Sequence, residues 1–280
     1  MIRFILVILA LTVLTLALLP FQLLGIAFDM RLQRSVPHLY HRALCALIGV
    51  RIREVGQRST EAPLLILSNH ASWLDICVIT ALTPVVFVAK SEVARWPVFG
   101  WLATLQRTIF VNRQARHQTG AATRQIAARL LGGDTVGLFA EGTSSDGIHI
   151  LPFRSALIGA VHHALDDSTH HKEIAVQPMS LAYVGFGGVP MGRALRERVA
   201  WYGDADLIPH FVGVLASGAV DVTVSWGEAA AYDMNADRKQ IARDAEKSVR
   251  RMTAAALRAA PPEREAAPVA EQPASVPGLA

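Results

Sequence analysis

The chain is 280 residues long, with 52% apolar and 18% charged side chains and a formal net charge of +4. That length suits one large α/β domain with appendages, and so high an apolar share places part of the chain in or on a membrane. The modest positive charge fits an anionic membrane surface or an acidic substrate; with no C-x-x-C pair, RNP-like aromatic run or dense Lys/Arg block, nucleic acid is not expected.

The first predicted element is the uncharged run Phe4 to Phe28, whose only polar side chains are Thr12, Thr15 and Gln22. At about 1.5 Å per residue it is long enough to cross a hydrocarbon core of about 30 Å. A cleaved signal peptide is the competing reading, with Arg3 as its positive start and Gly25-Ile26-Ala27 as a weak cleavage candidate, but the run is longer than a typical h-region. Arg31, Arg34, Arg42, Arg51 and Arg53 follow the run and only Arg3 precedes it, so the positive-inside bias predicts a single-pass anchor with the bulk of the chain on the cytoplasmic side. Cys45 and Cys77, the only cysteines, suggest no disulfide framework.

Next, SVPHLYHRALCALIGV mixes His38, His41 and Arg42 with Leu39, Leu44, Leu47 and Ile48, a pattern for a helix lying in the membrane interface. Beyond it RIREV, LLILS, VVFVAK, TIFVNR, TVGLFAE and IAVQPMSLAYV read as strands, most of them apolar on both faces, separated by helix-length segments. Such runs predict an α/β fold with a mixed, largely buried sheet flanked by helices. One of those helices is HQTGAATRQIAARLLGGD, stopped by Gly132-Gly133, with Arg124 and Arg129 facing solvent. GFGGVPMG reads as a loop, LIPHFVGVLAS as a helix, DVTVSW as a strand and residues 236–258 as a last helix. The chain thus divides into a transmembrane anchor over 1–30, an interfacial helix over 31–50, an α/β domain over 51–259 and, rich in Ala, Pro and Glu, a disordered tail over 260–280.

Four stretches carry chemistry. In SNHASWLDI, His70 and Asp75 stand five apart at a strand-to-helix corner. On a helix that spacing points two side chains about 140° apart, so they meet only if His70 lies before the first turn. If they meet, Asp75 anchors Nδ1 and leaves Nε2 as a base; otherwise Ser68, Asn69 and Ser72 cap the helix and His70 is a corner histidine. LFAEGTSSDG places Glu141, Gly142 and Thr143 after another strand, either as an anion-binding turn or as a plain turn closed by Asp146-Gly147. Lys90 and Arg113 end two further apolar strands, as solvated edge residues or as a clamp on a phosphate. Pro178 inside an apolar strand marks a bulge or an edge. Cys77 lies near His70 in sequence, yet a buried structural thiol fits it better than a nucleophile. His162, His163, His170 and His171 read as a helix end and its loop, and no metal is assigned.

The order of these pieces, SNHASWLD, TIFVNR, FAEGTSSDG and AVQPMSLAY, resembles the four-block pattern of the 1-acyl-sn-glycerol-3-phosphate acyltransferase family, the glycerolipid acyltransferases, over about Pro63 to Tyr183. The resemblance implies that 51–259 is an acyltransferase domain and that His70 and Asp75 are its catalytic pair. It implies that Lys90, Arg113, Glu141, Gly142 and Thr143 bind the acceptor's polar head. It further implies an acyl-CoA or acyl-carrier-protein thioester as donor, a lysolipid as acceptor, membrane lipids as surroundings and no further cofactor. Family members commonly read F-P-E-G-T-R-S and end the second block in Asp-Arg; here Ala140, Ser144 and Asn112 stand instead. The expected acceptor is 1-acyl-sn-glycerol-3-phosphate, with lyso-ornithine lipid as the alternative that the missing arginine leaves open. A membrane-tethered scaffold without activity is the alternative of another class.

Overall fold

A computed structural model describes residues 2–112, 119–168 and 170–259. Arg113 and the tail over 260–280 lie outside the described residues. The chain opens with two helices, α1 (Ile2–Ala27) and α2 (Leu32–Ile48), followed by the strands β1 (Val50–Val55) and β2 (Leu64–Ser68) and the helix α3 (Leu74–Leu82). Then come β3 (Val86–Lys90), a 3-10 turn (Ser91–Arg95), α4 (Phe99–Leu105), β4 (Ile109–Val111), α5 (Thr119–Leu131) and β5 (Val136–Phe139). The second half holds α6 (Ala160–Asp166), β6 (Ile174–Phe186), β7 (Val189–Pro190), α7 (Arg193–Arg196), α8 (Leu207–Ser217), β8 (Val220–Trp226), β9 (Ala230–Tyr232) and α9 (Arg238–Arg258).

The strands form one sheet in the order β1-β8-β6-β2-β5-β3-β4, with β7 and β9 also paired to β6. From β6 through β2, β5 and β3 to β4 every pairing is parallel, while β6 and β8 run antiparallel. The sheet is therefore mixed, and its period-2 pattern serves two cores. Leu64 and Ile66 point into one with α2, α3 and α8; Leu65 and Leu67 point into the other with α5, α6 and α9. Burial on both faces is why these strands read as unbroken apolar runs. Pro178 sits where β6 changes its outer neighbour, since Ile174–Val176 pair with β9 and Met179–Phe186 with β8. A residue without an N–H costs no ladder bond at that gap.

The helices α1 and α2 form an antiparallel hairpin laid along the domain. Its sharp end requires Gly25, where a Cβ would come within 2.6 Å of Gln33 N. Near the start of α1, Arg3 donates from Nη2 to Ile48 O at 2.7 Å and from Nε to Leu215 O at 3.1 Å. Val7 and Leu11 join the core. Toward its other end, Gln22 donates to Leu105 O at 2.6 Å. α1 is thus docked along its length and not held away from the domain, and α2 buries Val36, Cys45 and Ile48 between α1 and α3. α2, expected to lie in the membrane interface, ties the first helix to α3 and to β1. The opposite face of α1 stays exposed through Ile5, Leu9, Val13 and Leu16.

Candidate active site

The site forms at the carboxyl ends of the parallel strands, where reacting groups gather in open α/β sheets. β2 ends at Ser68, and Asn69 then replaces the ladder with its side chain: Nδ2 donates to Leu181 O and Oδ1 accepts from Leu181 N, both at 2.9 Å. With Asn69 pinned to β6, the chain turns, and His70 precedes α3 by four residues. This answers the awkward spacing. His70 is outside the helix, and its Nδ1 lies 2.8 Å from Asp75 Oδ2.

Asp75 is fully buried, and four donors converge on it. The N–H groups of Ala71 and Ser72 donate to Oδ2 at 2.7 and 2.9 Å, and Tyr183 Oη donates to Oδ1 at 2.6 Å. His70 supplies the fourth. Donors alone suit a carboxylate, so Nδ1 carries the proton and the lone pair of Nε2 is free. Phe139, at the end of β5, stacks on the imidazole at 4.0 Å and 16°, and Phe87 of β3 backs Phe139 at 5.5 Å. The ring is thereby held between a carboxylate and an aromatic face, with the side chain 17% exposed.

The E-G-T turn grips the same corner. Glu141 Oε1 accepts from His70 N–H at 3.1 Å and Oε2 from Leu151 N–H at 3.2 Å, while Ser145 donates its N–H and its hydroxyl to His70 O at 2.8 and 3.2 Å. Glu141 is 1% exposed, and burial pushes its carboxyl up to about 7 against the opposing pull of those backbone N–H groups. The resemblance implied a head-group contact for Glu141; the carboxylate instead faces inward and braces His70. Gly142 adopts φ 77°, and the Arg154 side chain lies over it, 3.0 Å from where a Cβ would stand. Thr143 is exposed beside it.

Lys90, exposed at the end of β3, stands two strands from β2, a span of about 10 Å at the usual strand spacing. Cys77 is buried on α3 and burial raises its thiol well above the ordinary value, which disfavours a thiolate nucleophile. Trp73 donates from Nε1 to His210 Nδ1 at 3.0 Å and packs on Phe211, joining the start of α3 to α8. It also walls an apolar cavity of about 240 Å³ lined by Leu11, Leu18, Tyr40, Cys77 and Phe211 and reaching Gln22.

The sequence motifs assign no role to Tyr183, Arg154 or Arg196. The signals are a tyrosine ending the fourth block, an arginine ten residues beyond the position where Ser144 replaces the usual one, and the middle one of three arginines, Arg193, Arg196 and Arg198, that follow the glycine-rich loop.

Residues 49–182 match the sequence model of the family described as Acyltransferase. A lyso-ornithine lipid O-acyltransferase from Brucella abortus (strain 2308) is 47% identical over 256 residues, 91% of this chain and 96% of that protein. Another from Rhizobium meliloti (strain 1021) is 42% identical over 248 residues, covering 89% and 85%. Among solved structures, the 1-acyl-sn-glycerophosphate acyltransferase of Thermotoga maritima superposes with a TM-score of 0.59 over 91% of this chain and 96% of that one, at 18% identity, a likeness of fold.

Proposed function

This chain belongs to the glycerolipid acyltransferase family, and we propose that it moves a fatty acyl group from an acyl thioester to the free hydroxyl of lyso-ornithine lipid. The observation that carries the acceptor is the 47% identity with a lyso-ornithine lipid O-acyltransferase across 91% of the chain. The sequence put 1-acyl-sn-glycerol-3-phosphate first; the near full-length relatives support the alternative, as does Ser144 where an arginine would favour a phosphate.

His70 acts as the base. Nε2 takes the proton of the acceptor hydroxyl as its oxygen attacks the thioester carbonyl, the C–S bond breaks, and the imidazolium returns the proton to the leaving thiolate. Asp75 holds the ring and stabilises its charge. Glu141 and Ser145 fix the backbone beneath His70. Lys90, Arg113 and Thr143 contact the acceptor's polar head, with Arg154 beside Gly142 as the cation that Ser144 does not provide. The cavity from Trp73 to Gln22 receives an acyl tail. The donor is acyl-CoA or acyl-carrier protein, and no cofactor is needed, because a thioester is already activated.

The membrane contributes the lysolipid. We read α1 as embedded along one face of the cytoplasmic membrane by its exposed apolar row, with the domain on the cytoplasmic side.

The test is a substrate panel on the full chain in vesicles: lyso-ornithine lipid against 1-acyl-sn-glycerol-3-phosphate, each with acyl-CoA and with acyl-carrier protein. Transfer should go to lyso-ornithine lipid. Faster transfer to the glycerophosphate would overturn the acceptor.

A further inference from the structure

Arg196 ends α7 and is 9% exposed. Its Nη1 donates to Tyr183 O and its Nη2 to Met191 O, both at 3.1 Å, and its Nε has no partner. No carboxylate of the described residues pairs with it. Asp146 acts on its charge from a distance but spends Oδ1 on the N–H groups of Ile148 and His149 and Oδ2 on His149 Nδ1. A buried guanidinium held by neutral carbonyls alone is expensive, since taking a charge out of water costs several kcal/mol and only an opposite charge in contact recovers it. Such an uncompensated group needs an explanation, and a ligand's charge is one.

Its position points to the acceptor. The tyrosine whose carbonyl it holds is the one whose hydroxyl holds Asp75, so Arg196 stands one tyrosine side chain from the His70–Asp75 pair. Five residues on, Trp201 N donates to Ala71 O at 2.7 Å, clipping the same segment to the residue after His70. One guanidinium balances one negative charge. An amino-acid head group offers a carboxylate with one, whereas a phosphomonoester carries about 1.5 to 2 near neutral pH.

We propose that Arg196 binds the carboxylate of the acceptor's amino-acid head group, using Nε–H and a remaining Nη hydrogen as a fork. This rests on the acceptor reading above and names the group by which the site would tell an amino-acid lipid from a phosphate. Because Nε lies under the surface, engagement requires the segment from Gly192 to Trp201 to yield. That segment is a four-residue helix with flanking turns and not part of the sheet.

The experiment measures kcat/KM of the full chain in vesicles with lyso-ornithine lipid and with its carboxylate methyl ester, for wild type, Arg196→Gln and Arg196→Lys. Wild type should prefer the free acid by about 10- to 100-fold, as one charge-assisted contact predicts. Arg196→Gln should lose that factor on the acid and little on the ester, so the discrimination collapses, and Arg196→Lys should recover part of it. Equal losses on acid and ester would make Arg196 a clamp on Tyr183 and overturn the proposal. So would a wild type that transfers to the acid and to the ester equally well, a comparison that needs no variant to fold. Transfer to the glycerophosphate but to neither amino-acid lipid removes the acceptor reading itself, and this inference with it. Failure of the ester comparison alone leaves that reading standing.

Discussion

At the scale of single residues, the site is a stack of dependencies ending at one lone pair. His70 needs Asp75 to set its tautomer, so His70→Ala and Asp75→Asn should each lower kcat by about 100- to 10,000-fold while the far-UV spectrum and vesicle binding stay unchanged. Near-normal turnover in either would remove the mechanism. Tyr183 supports Asp75 through its shorter contact, 2.6 Å from the buried Oη. Tyr183→Phe keeps the packing and deletes one hydrogen bond to a charged group, so kcat should fall roughly 10-fold with KM for both substrates unchanged. Glu141 adds a pH dependence of stability. Its carboxyl rises from an ordinary value of 4.5 to about 7 in the folded chain. Below 4.5 it is protonated whether the chain is folded or not; from 4.5 up to about 7 the unfolded chain ionises while the fold keeps the proton, so stability falls as pH rises and levels off once the folded carboxyl has ionised. The loss should amount to about 2–3 kcal/mol across that window. Thermal unfolding between pH 4.5 and 8 should show this decline in wild type and a flatter profile in Glu141→Gln, whose overall stability is lower because one backbone N–H loses its acceptor.

Among the elements, the decisive join is between β2 and β6, made by a side chain. Asn69 is fully buried and satisfies both backbone groups of Leu181, so Asn69→Ala orphans a donor and an acceptor in the core beneath His70. A destabilisation of about 2–4 kcal/mol is expected, read as a fall in the denaturation midpoint, with activity dropping beyond what the unfolded fraction explains. An unchanged midpoint would show that Asn69 is not the tie. This join also marks how far the sequence could be read. The strands were visible because burial on both faces leaves unbroken apolar runs, and the His70 corner because a polar cluster interrupts one. Pro178 was expected at a bulge or edge; the reason it is tolerated, a change of neighbour from β9 to β8, depends on pairing that composition does not carry. Tyr183 is 108 positions from Asp75, so no local pattern links them. Glu141 was found by its motif, but its inward orientation follows from two backbone N–H groups that only the folded turn presents. Arg154 and Arg196 carry no local signal beyond their charge.

For the molecule as a whole, the question is how an α/β domain meets a lipid that lives in the bilayer. The sequence predicted a helix crossing the membrane, and α1 has the length and apolarity to do so, 26 residues at a mean hydropathy of 2.8. Its contacts argue for another arrangement. One end is bound to Ile48 and Leu215 and the other to Leu105. An α1 that crossed a core of about 30 Å would hold those contacts at opposite surfaces and draw the flank of the domain between them through hydrocarbon. The ion pairs Arg51–Asp221 and Arg34–Asp134, tied to the hairpin's two ends, would bracket that passage. Lying along one leaflet costs nothing of the kind. In the surface-laid arrangement proposed above, the exposed row Ile5, Leu9, Val13 and Leu16 is the face offered to lipid, and Ile208 of α8 and Trp101 of α4 are exposed and apolar as well. Single cysteines placed at Ile2 and at Phe28, in chains with Cys45 and Cys77 replaced by serine, separate the two arrangements. In sealed vesicles of known orientation, an impermeant maleimide added from the domain side should label both positions equally, because both ends of a surface-laid α1 are on that side. Labelling of one and protection of the other until the vesicles are opened would restore the crossing helix.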